Sequence, residues 1–132
     1  MNLRTGVDLI EINRLEAISV PIRQRFLKRV FTSRELQEAA ESSPSLAGKF
    51  AAKEAVSKAL GCGIGVVSWQ EIEILHGEQG QPELFLHGNA AAFASQQGLT
   101  VWAVSISHSY SHAVAVAIAL APAGVPEEGA AP

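Results

Sequence analysis

The sequence predicts an α+β domain in which an antiparallel sheet packs on one long central helix. Three stretches carry that expectation. Thr100 to His108 and His112 to Leu120 are alternating, apolar-rich runs joined by the short Ser109-Tyr110-Ser111 connection, so they read as paired antiparallel strands. The stretch from Pro44 or Ser45 to Leu60 reads as a helix that ends at Gly61. At about 100° per residue, Ala51, Ala52, Ala55 and Ala59 form a small-residue face, so this helix can lie very close to a neighbouring layer.

The chain opens on a strand from about Asn2, with Leu3, Thr5, Val7 and Leu9 alternating with their neighbours. A short helix follows, with Ile12, Leu15 and Ile18 on one side. Asp8 sits at that junction, and with Glu11 it resembles a capping box; cap and functional carboxylate are both open for it. Pro21 suits the start of a helix running to about Val30, with Phe26 and Val30 turned inward. Thr32 and Glu35 match a capping box for a further helix to about Ala40. After the central helix, Gly61, Gly63 and Gly65 form a glycine-rich turn. Glu71 to His76, with Ile72 and Ile74 opposite Glu71 and Glu73, and Glu83 to His87 read as a hairpin, followed by an alanine-rich helix from Asn89 to Gln97. His76 and His87 read as ordinary surface histidines. Ala103 and Ser105 are assigned with Ala113, Ala115, Ala117 and Ala119 to a small face against the central helix. Trp102, Val104, Ile106, Val114, Val116 and Ile118 form the large face, expected to pack against other copies of the chain. One domain spans residues 1–120, and residues 121–132, rich in Pro, Gly, Ala and Glu, read as a disordered tail.

Composition narrows the function. With 48% hydrophobic residues the chain is globular, and its 17% charged residues are few for a small monomer, which points to surface buried in an oligomer. A single cysteine, Cys62, excludes an intrachain disulfide. No secretory segment and no bilayer-length apolar run is present, so a cytoplasmic protein without a membrane partner is expected. All ten Lys and Arg residues lie at or before Lys58. Arg23, Arg25, Lys28, Arg29 and Arg34 form an acid-free basic segment that expects an anionic partner. The net charge of −3 and the lack of a nucleic-acid motif favour an acidic protein over nucleic acid. Glu54 and Lys58 have the spacing of a surface ion pair, and equally of a fixed carboxylate and ammonium serving phosphate chemistry with a metal.

Three separated stretches decide between these readings. Gly6-Val7-Asp8-Leu9-Ile10, Phe50-Ala51-Ala52-Lys53-Glu54-Ala55-Val56-Ser57-Lys58-Ala59-Leu60-Gly61 and Ser105-Ile106-Ser107-His108, with Phe31-Thr32 and Glu35-Leu36 between the first two, together resemble the 4′-phosphopantetheinyl transferases. The length and order are similar to the holo-acyl-carrier-protein synthase type, over Asn2 to Leu120. The resemblance implies the 4′-phosphopantetheinyl transferase fold and an enzyme of fatty acid biosynthesis. That enzyme moves the phosphopantetheine arm of coenzyme A to a serine of apo acyl carrier protein and releases adenosine 3′,5′-bisphosphate. It also implies Mg²⁺, a hard cation suited to carboxylate and phosphate oxygens, held by Asp8 and Glu54. Lys58 would neutralise the pyrophosphate. Ser107 and His108 would stand at the coenzyme A site, with His108 on a phosphate; Lys49, Lys53 and the Gly61–Gly65 turn would contribute, and Pro82 would line the adenine pocket. Arg14, Arg25 and Arg29 would dock the carrier, and the assembly would be a homotrimer with sites between subunits. The base for the serine is open among Glu54, a water on the metal, and Glu35 acting through a water. Some relatives carry an acid where this chain has Gln37. The rival readings are a binding module for coenzyme A or carrier without chemistry, and an acyltransferase, which would leave the Asp8–Glu54 pair unexplained.

Overall fold

The computed structural model describes residues 1–122. In chain order the elements are β1 (Asn2–Glu11), α1 (Asn13–Glu16), α2 (Val20–Val30), α3 (Ser33–Ala39), α4 (Ser43–Leu60), a 3₁₀ turn (Trp69–Glu71), β2 (Ile72–His76), β3 (Pro82–Leu86), α5 (Gly88–Gln96), β4 (Val101–His108) and β5 (His112–Ala121). One antiparallel sheet has the order β1-β5-β4, and β2-β3 is a separate hairpin. The 18-residue α4 lies across the inner face of the three-stranded sheet. Ala121 closes β5, one residue past the expected end of the domain; from residue 123 onward the expected tail lies outside the described residues.

The close packing of α4 on the sheet follows from what the two faces lack. Ala51, Ala52, Ala55 and Ala59 of α4 are fully buried, and so are Ala113, Ala115, Ala117 and Ala119 of β5. Gly6 of β1 lies so near α4 that an added Cβ would stand 1.9 Å from the Ala55 carbonyl oxygen. Local signals hold the ends. Thr32 and Glu35 form the expected capping box, and Gly61 ends α4 at φ 81°, a left-handed cap natural to glycine. Asp8, by contrast, is no cap: it lies within β1, with its side chain on the α4 side.

Register corrects the assignment of faces on β4. Ala103 pairs with Ile118 and Ser105 with Val116, whereas Trp102, Val104 and Ile106 stand opposite alanines of β5. Residues directly opposite in a ladder share a face, so the large β4 side chains face inward and Ala103 and Ser105 face outward. The helix crosses β1 and β5, and the larger β4 side chains fill the space beside it. The outer face carries Leu3, Val7, Leu9, Val116 and Ile118, which are 39–64% exposed. It remains strongly apolar, though not with the membership first assigned.

The hairpin also departs from the expected pattern. Glu73, placed by alternation on the face opposite Ile72 and Ile74, is 3% exposed, as buried as they are. Its carboxylate accepts the Thr32 hydroxyl at 2.6 Å and lies 3.1 Å from His87 Nε2. Ser57 of α4 is also buried, and its hydroxyl donates to the Glu54 carbonyl. Burial pushes the carboxyls of Glu38 and Glu73 upward. For Glu38 the Lys49 ammonium and the His76 backbone N–H outweigh that effect, and for Glu73 the Thr32 hydroxyl and His87 do so, leaving both below the ordinary value of 4.5. A carboxyl depressed on folding adds stability above its unfolded value and loses it as pH falls through its folded value. Thermal unfolding followed by circular dichroism should therefore show a midpoint falling with pH below about 4.5, and Glu38→Gln should flatten that fall.

Candidate active site

Asp8 and α4 build one cleft of about 500 Å³, walled by Asp8, Arg14, Ile18, Phe26, Phe50 and Glu54. Gly6 and the alanines bring β1 against α4, and strand alternation puts the Asp8 side chain on that face two residues beyond Gly6. Lys58, one turn beyond Glu54, donates to the Val7 carbonyl oxygen at 2.8 Å and lies 3.4 Å from Asp8 Oδ1. Burial raises the Glu54 carboxyl above its usual range; the Asp8 charge adds to this, and Lys58 opposes it. Two neighbouring carboxylates and one ammonium thus share the end of the cleft. Phe50 stacks on Trp69, with centroids 5.0 Å apart at 27°, and meets Phe26 at 5.7 Å. This aromatic wall was not singled out from the sequence, because only the fold brings α2, α4 and the 3₁₀ turn together.

A second cleft, about 430 Å³, lies at the N-terminal end of α4. It holds Pro82, His108 and Lys49, with His76, Gly48 and Ser45. The remaining expected site residues are dispersed. Ser107 is exposed and alternates to the outer face of the sheet. Gly61 caps α4 beyond Lys58. Arg14, Arg25 and Arg29 are exposed, Arg14 beside the first cleft and the other two on α2.

Two expectations give way to structural roles. Lys53 is fully buried; its ammonium donates to the Ile72 and Trp69 carbonyls at 2.6 and 3.0 Å and pairs with Glu35 at 2.7 Å. It lines neither cleft, and its ammonium is held by these partners inside the fold. Glu35, considered as a base, is equally buried, and accepts the N–H groups of Thr32 and Ile74 as well as the Lys53 ammonium. Burial draws the Lys53 ammonium below its usual range, and the Glu35 charge opposes this.

The first cleft fits a divalent cation by donor chemistry: hard oxygens, two carboxylates, and a Glu54 charge that Asp8 disfavours until a cation offsets it. Among the described residues no group of three His, Cys, Asp or Glu side chains forms a metal cluster, so further oxygens would come from substrate and water.

A family model of the 4′-phosphopantetheinyl transferase superfamily matches residues 4–117. The chain belongs to the 4′-phosphopantetheinyl transferase superfamily. It is 45% identical over 111 residues to the holo-[acyl-carrier-protein] synthase of Caldanaerobacter subterraneus subsp. tengcongensis, spanning 82% of this chain and 87% of that protein. To the holo-[acyl-carrier-protein] synthase of Herpetosiphon aurantiacus it is 46% identical over 113 residues, spanning 80% and 89%. The structure superposes on the crystal structure of Helicobacter pylori holo-[acyl-carrier-protein] synthase in complex with coenzyme A with a TM-score of 0.79 at 32% identity, covering 88% of this chain and 99% of that one. The transferase superfamily match includes Asp8, Glu54, Lys58 and His108 alike. Among the described residues no helix is long and apolar enough to cross a membrane.

Proposed function

We propose that this protein is a holo-acyl-carrier-protein synthase. It transfers the 4′-phosphopantetheine arm of coenzyme A to a serine hydroxyl of apo acyl carrier protein, releases adenosine 3′,5′-bisphosphate, and so serves fatty acid biosynthesis in the cytoplasm. The observation that carries this reading is the meeting of Asp8, from one strand, with Glu54 and Lys58, from the helix beneath it. Superfamily membership and the names of the relatives support it. The serine oxygen forms a bond to the phosphorus that carries pantetheine, and the bond from that phosphorus to the bridging pyrophosphate oxygen breaks. Mg²⁺, held by Asp8 and Glu54, would supply charge neutralisation at the pyrophosphate. Lys58 orients Asp8 and adds a positive charge beside the leaving oxygen. With Glu35 enclosed, Glu54 Oε or a water beside it takes the serine proton. The second cleft, with His108, Lys49 and Pro82, receives the adenine and phosphate end of coenzyme A.

The apolar outer face supports self-association, and the family resemblance makes the assembly a homotrimer. The two clefts are separate on one chain, which fits sites completed between subunits, Asp8 and Glu54 from one and His108 from its neighbour. Sedimentation should give about three times 13.9 kDa. The test of function is the intact mass of apo acyl carrier protein after incubation with the protein, coenzyme A and Mg²⁺. A phosphopantetheine gain that chelator abolishes is expected. No gain with several carriers, despite coenzyme A binding, would leave a non-catalytic binding module.

The exposed arginines Arg14, Arg25 and Arg29 are proposed to dock the acidic carrier. Rim charges act chiefly on encounter, so reversing Arg25 and Arg29 together should raise KM for carrier about tenfold at low salt, with a smaller change at high salt. An unchanged KM removes them from the docking surface.

A further inference from the structure

Glu38 and His76 have no part in the chemistry above, yet His76 lines the second cleft and Glu38 holds it from behind. A single oxygen, Glu38 Oε1, accepts the Lys49 ammonium at 2.6 Å and the His76 backbone N–H at 2.8 Å, and lies 3.1 Å from His76 Nδ1. Lys49 is 1% exposed and donates also to the Ile74 carbonyl at 2.8 Å, so its ammonium is fixed rather than swept through solvent. Glu38 remains ionised through neutrality: burial favours its neutral form, but Lys49 and the His76 N–H win. The His76 ring is half-exposed and lines the cleft; with Nδ1 turned to Glu38, it has Nε2 to offer a ligand. His108 and the first turn of α4 also line it, and there the buried Ser45 Oγ has no hydrogen-bond partner among the described residues. Among the described residues no carboxylate lines this cleft, whereas Asp8 and Glu54 line the other.

Coenzyme A carries two kinds of anionic group. The pyrophosphate belongs beside Asp8, Glu54 and Lys58, which leaves the phosphate monoester for a cleft of cations and hydroxyls. We propose that His76 contacts that phosphate monoester and that Glu38 is the positioning residue which holds His76 and Lys49 in place to receive it. The inference rests on the transferase reading and adds a residue pair to its donor site.

The test is steady-state transfer to carrier from coenzyme A and from dephospho-coenzyme A, which lacks the monoester. His76→Ala should raise KM for coenzyme A about tenfold, with kcat within about twofold and KM for dephospho-coenzyme A unchanged. Glu38→Gln, which keeps an acceptor for Lys49 but loses the charge, should act in the same direction. The double variant should be no worse than His76→Ala alone, because the two residues act through one contact. His76→Lys should recover most of the loss. Because the His76 side chain is half-exposed, its variants keep the test readable if Glu38→Gln fails to fold. An unchanged KM in His76→Ala, an equal change for both donors, or additive losses in the double variant would overturn the proposal. A wild type inactive with both donors would instead overturn the transferase reading, and this inference with it.

Discussion

Glu54→Gln is expected to lower phosphopantetheine transfer by about a thousandfold or more, while the protein melts no lower than wild type. The two halves of that result have one cause. Glu54 is held partly out of water beside Asp8, so its charge is disfavoured in the folded chain, and Lys58 only partly offsets this. A carboxyl raised on folding imposes no penalty below the ordinary value of 4.5; the penalty grows as pH rises toward the folded value and is complete above it. Glutamine keeps the shape and removes the charge. In chelator at pH 7 the variant should therefore match or exceed the wild-type midpoint, and near pH 4 the two should converge. The same charge is what a divalent cation needs. Mg²⁺ should raise the wild-type midpoint and leave that of Glu54→Gln nearly unmoved. A variant that keeps its activity, or that loses stability at neutral pH in chelator, would contradict this account of the pair.

Much of this site was legible because its signals are local or fixed by one close contact. Glu54 and Lys58 are one helical turn apart, the alanines share a face, and the Thr32–Glu35 capping box lies within a few residues. Asp8 was harder, since its distance from Glu11 imitates a cap; only the pairing of β1 with β5 shows that it sits within a strand. What stayed hidden depends on register or on partners distant in sequence. Alternation gives two faces to β4 but does not say which one meets the alanines of β5, and similarity of size suggested the wrong match. Lys49 and Lys53 were assigned to the coenzyme A site by resemblance, and nothing near them in sequence announces that Glu38, Glu35 and the carbonyls of the β2 segment enclose them. Glu73 and His76 were likewise assigned from their own strand, although α3 determines their surroundings.

Gly6→Ala should reach both the fold and the site. The added methyl carbon would stand 1.9 Å from the Ala55 carbonyl oxygen, 2.8 Å from its carbonyl carbon and 3.0 Å from the Ala59 nitrogen. These are backbone atoms of α4, so no rotamer change makes room. Overpacking commonly costs about 1–3 kcal/mol, and an obstacle made of helix backbone belongs at the upper end or beyond. For a domain of this size the midpoint should fall by roughly ten degrees. To relieve the contact, β1 has to lift from α4, and Asp8, on the same face two residues on, lifts with it from Lys58 and Glu54. Transfer activity should fall even in the fraction that remains folded, with Mg²⁺ protecting less against heat than in wild type. Ala55→Gly should not rescue the variant, because the clash is with the main chain and not with the alanine methyl group. Gly63→Ala provides the stability control, since a Cβ there meets nothing within 4 Å and should leave the midpoint near wild type. If Gly6→Ala melted and turned over like wild type, the close approach of β1 to α4 would not be what holds the two carboxylates together.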